Sequence, residues 1–151
     1  MRNRVVRLLA ILAVCTGLLS LAAPGFGQWR NPRYSRWDVE RVLRQVEARS
    51  DRFAATVERD LGTDLVEGRS DERLSMRARN LERQIDIVRQ VFNEARDFRQ
   101  IRPEVATVLN IARRVDNQMD RLNLDRASER QWMMLRANLN QLARVFDLPT
   151  V

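Results

Sequence analysis

The sequence predicts an all-α protein, an up-down-up-down antiparallel four-helix bundle of left-handed twist. Three observations predict it. Apolar residues recur in four separate stripes at alternating spacings of three and four, the period of one helix face. The stripes are bounded by capping residues, Gly or Pro. The connections between them are short, so consecutive helices must double back on one another. Two long hairpins that complete their cores by dimerising are the competing architecture.

Residues 1–27 read as a leader and not as part of the bundle. Arg2, Arg4 and Arg7 form a basic head, Leu8 to Leu21 an apolar run, and Gly25, Phe26 and Gly27 a small-residue exit before Gln28. That is the pattern of a cleavable secretory signal peptide. The apolar run is short against the ~20 residues a membrane span requires, and an uncleaved anchor is the alternative. Cys15 is a poor lipobox cysteine, because Val14 stands where a small residue is expected. The expected location of the mature chain is therefore the periplasm or the medium.

Residues 28–34 (QWRNPRY) hold Pro32 and no helical period, and read as an extended basic and aromatic lead-in to a bundle domain over 35–151. Ser35 then suits the N-cap of helix 1, with Asp38 at N3 in a capping box and Tyr34 placed to staple onto Val39. Val39, Val42, Val46, Phe53, Val57 and Leu61 form the stripe, and Gly62 fits the position after the helix. Between Val46 and Phe53 the chain offers Arg49 and Ser50 where a core residue is due, and Ser50, whose hydroxyl can bond a carbonyl one turn earlier, is the better fit.

Helix 2 carries the longest stripe: Leu74, Ala78, Leu81, Ile85, Val88, Phe92 and Ala95. Ser70 caps it, Asp71 and Glu72 favour its positive end, and it should end near Arg99 ahead of Pro103. Pro103 suits the first turn of helix 3, which carries Val105, Val108, Ala112, Val115, Met119 and Leu122 before Asn123. Ser128 and Gln131 read as a capping box for helix 4, with Trp132, Leu135, Leu139, Leu142 and Phe146 inward and Pro149 closing the chain. Met119, Met133 and Met134 are expected as soft core fillers.

Helices 1 and 2 read as about 26 and 29 residues and helices 3 and 4 as about 20 and 19, so the first hairpin should overhang the second by roughly 10–15 Å. The overhang would leave Val57, Leu61, Leu65, Val66, Leu74 and Ala78 partly covered near residues 62–70. Leu61, Leu65, Val66 and Leu74 are then candidate partner contacts, as a self-association surface or a groove for another helix. The alternative is a loop that folds back over them.

Composition removes most chemistries. The chain has no His, one Cys inside the leader, and no Lys, so all 27 of its basic residues are Arg. No general base of ordinary pKa, thiolate or Schiff-base amine is left, and no metal or cofactor is expected. An enzyme is not expected. The paired carboxylates, such as Asp116 with Asp120 and Glu82 with Asp86, sit one turn apart on faces expected to be solvated. The net charge of +7 does not mark a nucleic-acid binder, because six of the 27 Arg precede Asp38, leaving 21 against 20 acids from there on. The local exception is Trp29, Arg30, Arg33, Tyr34, Arg36 and Trp37, which are candidate contacts to an anionic envelope surface.

Residues 132–149 resemble the closing helix of uncharacterised exported helical proteins of GC-rich bacteria, through Trp132, Leu135, Arg136, Leu142, Ala143 and Phe146. The resemblance implies export and helical structure and no activity. The chain is also similar to periplasmic helical chaperones in size and Arg content, but it lacks their Leu-Thr-x-x-Gln motif. The expected role is a non-enzymatic envelope protein acting through binding, to an envelope protein or an anionic surface, with weak homo-oligomerisation open. A holdase-like chaperone or stress-related helical protein and a passive structural protein are the alternatives. Substoichiometric suppression of a client's aggregation would favour the holdase.

Overall fold

The computed structural model describes residues 34–63, 69–122 and 124–151, the side chains of 61–63 and 69–71 aside. Helix α1 spans Arg36–Thr63, α2 Arg69–Glu94, α3 Arg102–Met119 and α4 Arg126–Val145, with a 3₁₀ turn at Phe98–Ile101 between α2 and α3. The leader, residues 28–33 and Asn123 lie outside the described residues, and α2 begins at Arg69, so Ser70 is a helical residue and not the cap expected of it.

Each helix packs on two others: α1 and α3 both lie against α2 and α4. Contacts near the helix ends give the directions. Arg36, which opens α1, reaches the carbonyls of Phe92 and Ala95 at the end of α2. Arg77, early in α2, reaches Gln118 late in α3. Arg102, which opens α3, reaches the Phe146 carbonyl just past α4. The backbone N–H of Asp125, just before α4, donates to Asp60 near the end of α1 at 3.1 Å. Every neighbouring pair is antiparallel, which is the up-down-up-down four-helix bundle.

The apolar stripes form the core. Val39, Val42, Val46, Phe53 and Val57 of α1 are buried, as are Leu74, Ala78, Leu81, Ile85, Val88 and Phe92 of α2. Val105, Val108, Ala112, Val115 and Met119 of α3 join Trp132, Leu135, Leu139 and Leu142 of α4 and Phe146 beyond it. Leu43, Ala54, Leu109, Ala143 and Val145 widen the stripes, because a bundle helix faces two neighbours as well as the centre. Ser50 occupies the expected core position, and its hydroxyl donates to the Glu47 carbonyl at 2.8 Å. At the start of α1 the capping box is reciprocal: Asp38 N–H donates to Ser35 Oγ at 3.2 Å, and Ser35 N–H donates to Asp38 Oδ2 at 3.0 Å.

Several boundaries differ from the sequence expectation. Helix α1 runs through Gly62 to Thr63, so Gly62 is helical and does not end it. Helix α2 stops at Glu94, five residues short of Arg99, because Asp97 takes extended backbone and caps a 3₁₀ turn by accepting from Arg99 N–H at 3.0 Å. Helix α4 is capped by Asp125, which accepts from Ala127 N–H, and not by Ser128. Ser128 lies inside the first turn, fully buried, and neither its hydroxyl nor Gln131 Oε1 has a hydrogen-bond partner among the described residues. Met133 is exposed and is no core filler. Asp116 is half-buried against Trp132 and is not a solvated carboxylate.

The expected overhang does not uncover its core residues. The helix lengths do differ, at 28 and 26 residues for α1 and α2 against 18 and 20 for α3 and α4. However, Val57, Leu74 and Ala78 are all fully buried. The second hairpin reaches the level of Asp60 near the end of α1, where the N–H of Asp125 meets it. Leu74 is therefore core and not a partner contact. Leu61, by its side chain, and Leu65 and Val66 altogether lie outside the described residues.

Candidate functional site

Three of the six lead-in candidates fall within the described residues, and they have separate fates. Tyr34 is half-buried and packs against the core. Arg36 is committed to the end of α2: Nη1 donates to Ala95 O at 2.7 Å, Nη2 donates to Phe92 O at 2.6 Å, and the guanidinium lies over the Phe92 ring, 4.3 Å from its centroid. It satisfies carbonyls that α2 leaves unpaired at its negative end. Only Trp37 points outward, 60% exposed, with the Arg41 guanidinium stacked over its ring at 4.4 Å. Trp29, Arg30 and Arg33 lie outside the described residues. The six are thus not one adhesive patch, and Trp37 is the member whose surroundings lead further.

Trp37 begins a row along the outer face of α1. Trp37, Arg41, Arg44, Ala48 and Arg52 follow at spacings of four, three, four and four, so they share one strip of the helix surface. The whole strip except the depression at Ala48 carries a long side chain. A depression of about 420 Å³ opens there, lined by Arg41, Arg44, Gln45, Ala48, Arg49, Arg52 and Asn138. Asn138 comes from α4, and its Nδ2 donates to Gln45 Oε1 at 3.0 Å, tying the two walls together. No carboxylate is among the lining residues.

Glu40, Glu47 and Glu58 of α1 lie on its other flank, towards α2. Arg89 of α2 approaches Glu40 at 3.6 Å and Glu47 at 3.8 Å, and Arg79 pairs with Glu58. Beside them, burial and then the carboxylates of Asp51, Asp86 and Glu58 push the Glu82 carboxyl above the usual glutamate range. On α1, Glu40, Glu47 and Glu58 thus meet Arg residues of α2, while Arg41, Arg44, Arg49 and Arg52 line the depression towards α4; Asp38, paired with Arg41, and Asp60, met by Asp125 before α4, lie outside this pattern.

Within the depression the four guanidinium groups are not equivalent. Arg41 Nη2 pairs with Asp38 at 2.8 Å and Arg44 Nη1 with Glu40 at 3.4 Å. Arg49 is half-buried, and its Nη1 donates to the thioether sulfur of Met134 at 2.9 Å. A thioether is a weak acceptor. Neither Arg49 nor Arg52 has a carboxylate partner among the described residues. Because guanidinium does not deprotonate in proteins, these groups keep their positive charge and have no proton to exchange. The sequence signal for it was the helical spacing of Arg41, Arg44, Arg49 and Arg52; net charge along the chain hides it, since the α2 side of the same helix is acidic.

No protein family, curated protein or solved structure matches this chain.

Proposed function

We propose that this chain is an exported, non-enzymatic four-helix bundle of the cell envelope that acts through binding. The observation that carries the reading is the open depression on α1, lined by four Arg and no carboxylate, in which Arg49 and Arg52 have no carboxylate partner among the described residues. An anionic envelope component is the natural occupant of such a face. Residues 1–27 support export by their basic head, apolar run and Gly25-Phe26-Gly27 exit. Catalysis is disfavoured by an inventory without His or Lys and with its one Cys in the leader. The partner is an envelope protein or an anionic envelope surface.

Cell fractionation with N-terminal sequencing, followed by cross-linking in the native envelope and mass spectrometry, tests the reading. The expected product begins near Gln28, is found outside the cytoplasm and cross-links to envelope components. Recovery of Met1 from washed membranes replaces the cleaved form with an anchored one. A purely cytoplasmic protein without envelope cross-links overturns the proposal.

A further inference from the structure

We propose that the depression on α1 binds the phosphodiester headgroup of an anionic envelope lipid, with Trp37 seated at the edge of the lipid surface. The inference rests on the envelope reading above and names the ligand of its site. Three features of the face converge on it. The first is donor supply. Each guanidinium carries five N–H donors in a planar fork that matches two phosphate oxygens at once. Arg49 spends one of its donors on the Met134 sulfur, and Arg52 has no ion pair among the described residues. An entering phosphate would replace a weak acceptor with a strong one, displacing no carboxylate from either residue.

The second feature is shape. Ala48 is the one short side chain in the strip Trp37, Arg41, Arg44, Ala48, Arg52, and the recess lies over it. The Gln45–Asn138 hydrogen bond closes one side, so the donors converge on a recess and are not spread over a convex helix.

The third feature selects a lipid over a soluble phosphate. Trp37 is 60% exposed, the largest exposure of a large apolar side chain among the described residues, and it stands one turn before Arg41, the nearest residue lining the depression. Its ring is held by Arg41 at 4.4 Å, which fixes an amphipathic pair at the rim. An exposed indole beside guanidinium groups suits headgroup depth, where the ring is partly desolvated while the cation meets phosphate. Isolated guanidinium attraction to an anionic surface is diffuse and fades with salt. A recess with a ring at its rim should add a component that depends on shape and not only on charge.

The test is co-sedimentation of the protein with phosphatidylglycerol–phosphatidylcholine vesicles, against pure phosphatidylcholine vesicles and against soluble polyphosphate followed by calorimetry. Wild type should bind the anionic vesicles and not the neutral ones. The double variant Arg49→Gln, Arg52→Gln should bind about tenfold more weakly, a difference well outside assay error. The double variant Arg73→Gln, Arg83→Gln, which removes the same charge from exposed positions of α2, should change binding by no more than about twofold. Ala48→Leu fills the recess at unchanged charge and should weaken binding as well, and Trp37→Ala should weaken vesicle binding more than polyphosphate binding. Circular dichroism melts check that each variant folds; Arg52→Gln alone, fully on the surface, serves if the Arg49 change unfolds the bundle.

Equal losses from the α1 and α2 double variants, or full binding by Ala48→Leu, mean diffuse attraction and overturn the site. Polyphosphate binding without vesicle binding overturns the lipid assignment. No binding by wild type, together with continued cross-linking in the envelope, removes the site and leaves the broader reading standing. Absence from the envelope removes that reading whatever the vesicles show.

Discussion

The indole Nε1 of Trp132 donates to Asp116 Oδ1 at 2.7 Å, joining α4 to α3 at the edge of the core. The same oxygen accepts from Arg136 Nη1 at 3.1 Å, while the Trp132 ring lies 5.2 Å from Phe53 of α1. One side chain thus links three helices, and its polar edge needs Asp116. Asp116→Ala should cost about 1–3 kcal/mol, since it strands a buried donor. Asp116→Asn, which keeps an acceptor, should cost less. Urea melts of both variants decide it, and equal stability of Asp116→Ala and wild type would show the bond contributes nothing net.

The core stripes make a sharper demand. Ile85 and Leu139 are both at most 2% exposed, whereas Arg83 is exposed on the outer side of α2. Ile85→Ala or Leu139→Ala should each cost about 2–5 kcal/mol as cavity variants. Arg83→Ala should stay within about 0.5 kcal/mol. Comparable denaturant midpoints for Ile85→Ala and Arg83→Ala would contradict the packing described here.

The stripes were legible because helical period depends only on which residues must leave water. Helix ends were less so, since they depend on competing caps. Ser128 with Gln131 has the form of a capping box, but Asp125 caps equally well, and starting there lets the turn before α4 meet Asp60. Likewise Asp97 interrupts α2 through a side-chain bond to Arg99 that no period reveals. The Arg recess was hidden for a different reason. Arg is spread along the whole chain, and only the packing of α1 against α2 and α4 shows that Arg41, Arg44, Arg49 and Arg52 share one depression without a carboxylate in its lining. Arg36 shows the converse, since it looked adhesive in sequence and is occupied with the end of α2.

Two carboxyls should shape the pH dependence in opposite senses. Hydrogen bonds from the Ser35 side chain and backbone hold Asp38 below the usual aspartate range. Its contribution is present above the unfolded pKa and is lost as pH falls through the lower folded value. Glu82 is raised, so its folded form holds the proton more firmly than the unfolded chain does. Its favourable contribution is complete below the unfolded pKa and disappears as pH rises through the folded value. Glu82→Gln should therefore be more stable than wild type at neutral pH, with the gain shrinking in acid. Melts of both proteins from pH 3 to pH 7 check this, and a gain that grows in acid contradicts the sign.

Arg36 ties the two long helices together at one end. Its two bonds of 2.7 and 2.6 Å to α2 carbonyls are charge-assisted, and its guanidinium also covers Phe92. Arg36→Ala should lower stability by about 1–2 kcal/mol. Amide hydrogen exchange should show the loss concentrated in the last turn of α2, while vesicle binding at the α1 recess stays unchanged. Loss of binding with this variant would mean that Arg36 belongs to the recess functionally.

The chain after α4 turns back along the seam between α3 and α4. Asp147 adopts φ 49°, and Leu148 N–H donates to Ala143 O at 2.9 Å, the six-to-one bond of a Schellman turn with a non-glycine residue in its left-handed position. Arg113 of α3 then donates to Pro149 O at 2.8 Å and Thr150 O at 3.2 Å. Asn140 of α4 accepts from Val151 N–H at 2.8 Å, and Leu148 and Val151 pack against the core. Deleting residues 148–151 should therefore cost about 2–4 kcal/mol, from two apolar side chains returned to water and several bonds lost. Asp147→Gly should instead add up to about 1 kcal/mol, because glycine takes a left-handed backbone without steric cost. Thermal melts of the truncated and Asp147→Gly proteins, with dye binding to report exposed apolar surface, test both. An unchanged melt on truncation would mean that α3 and α4 close their seam by themselves and the tail merely rests on it.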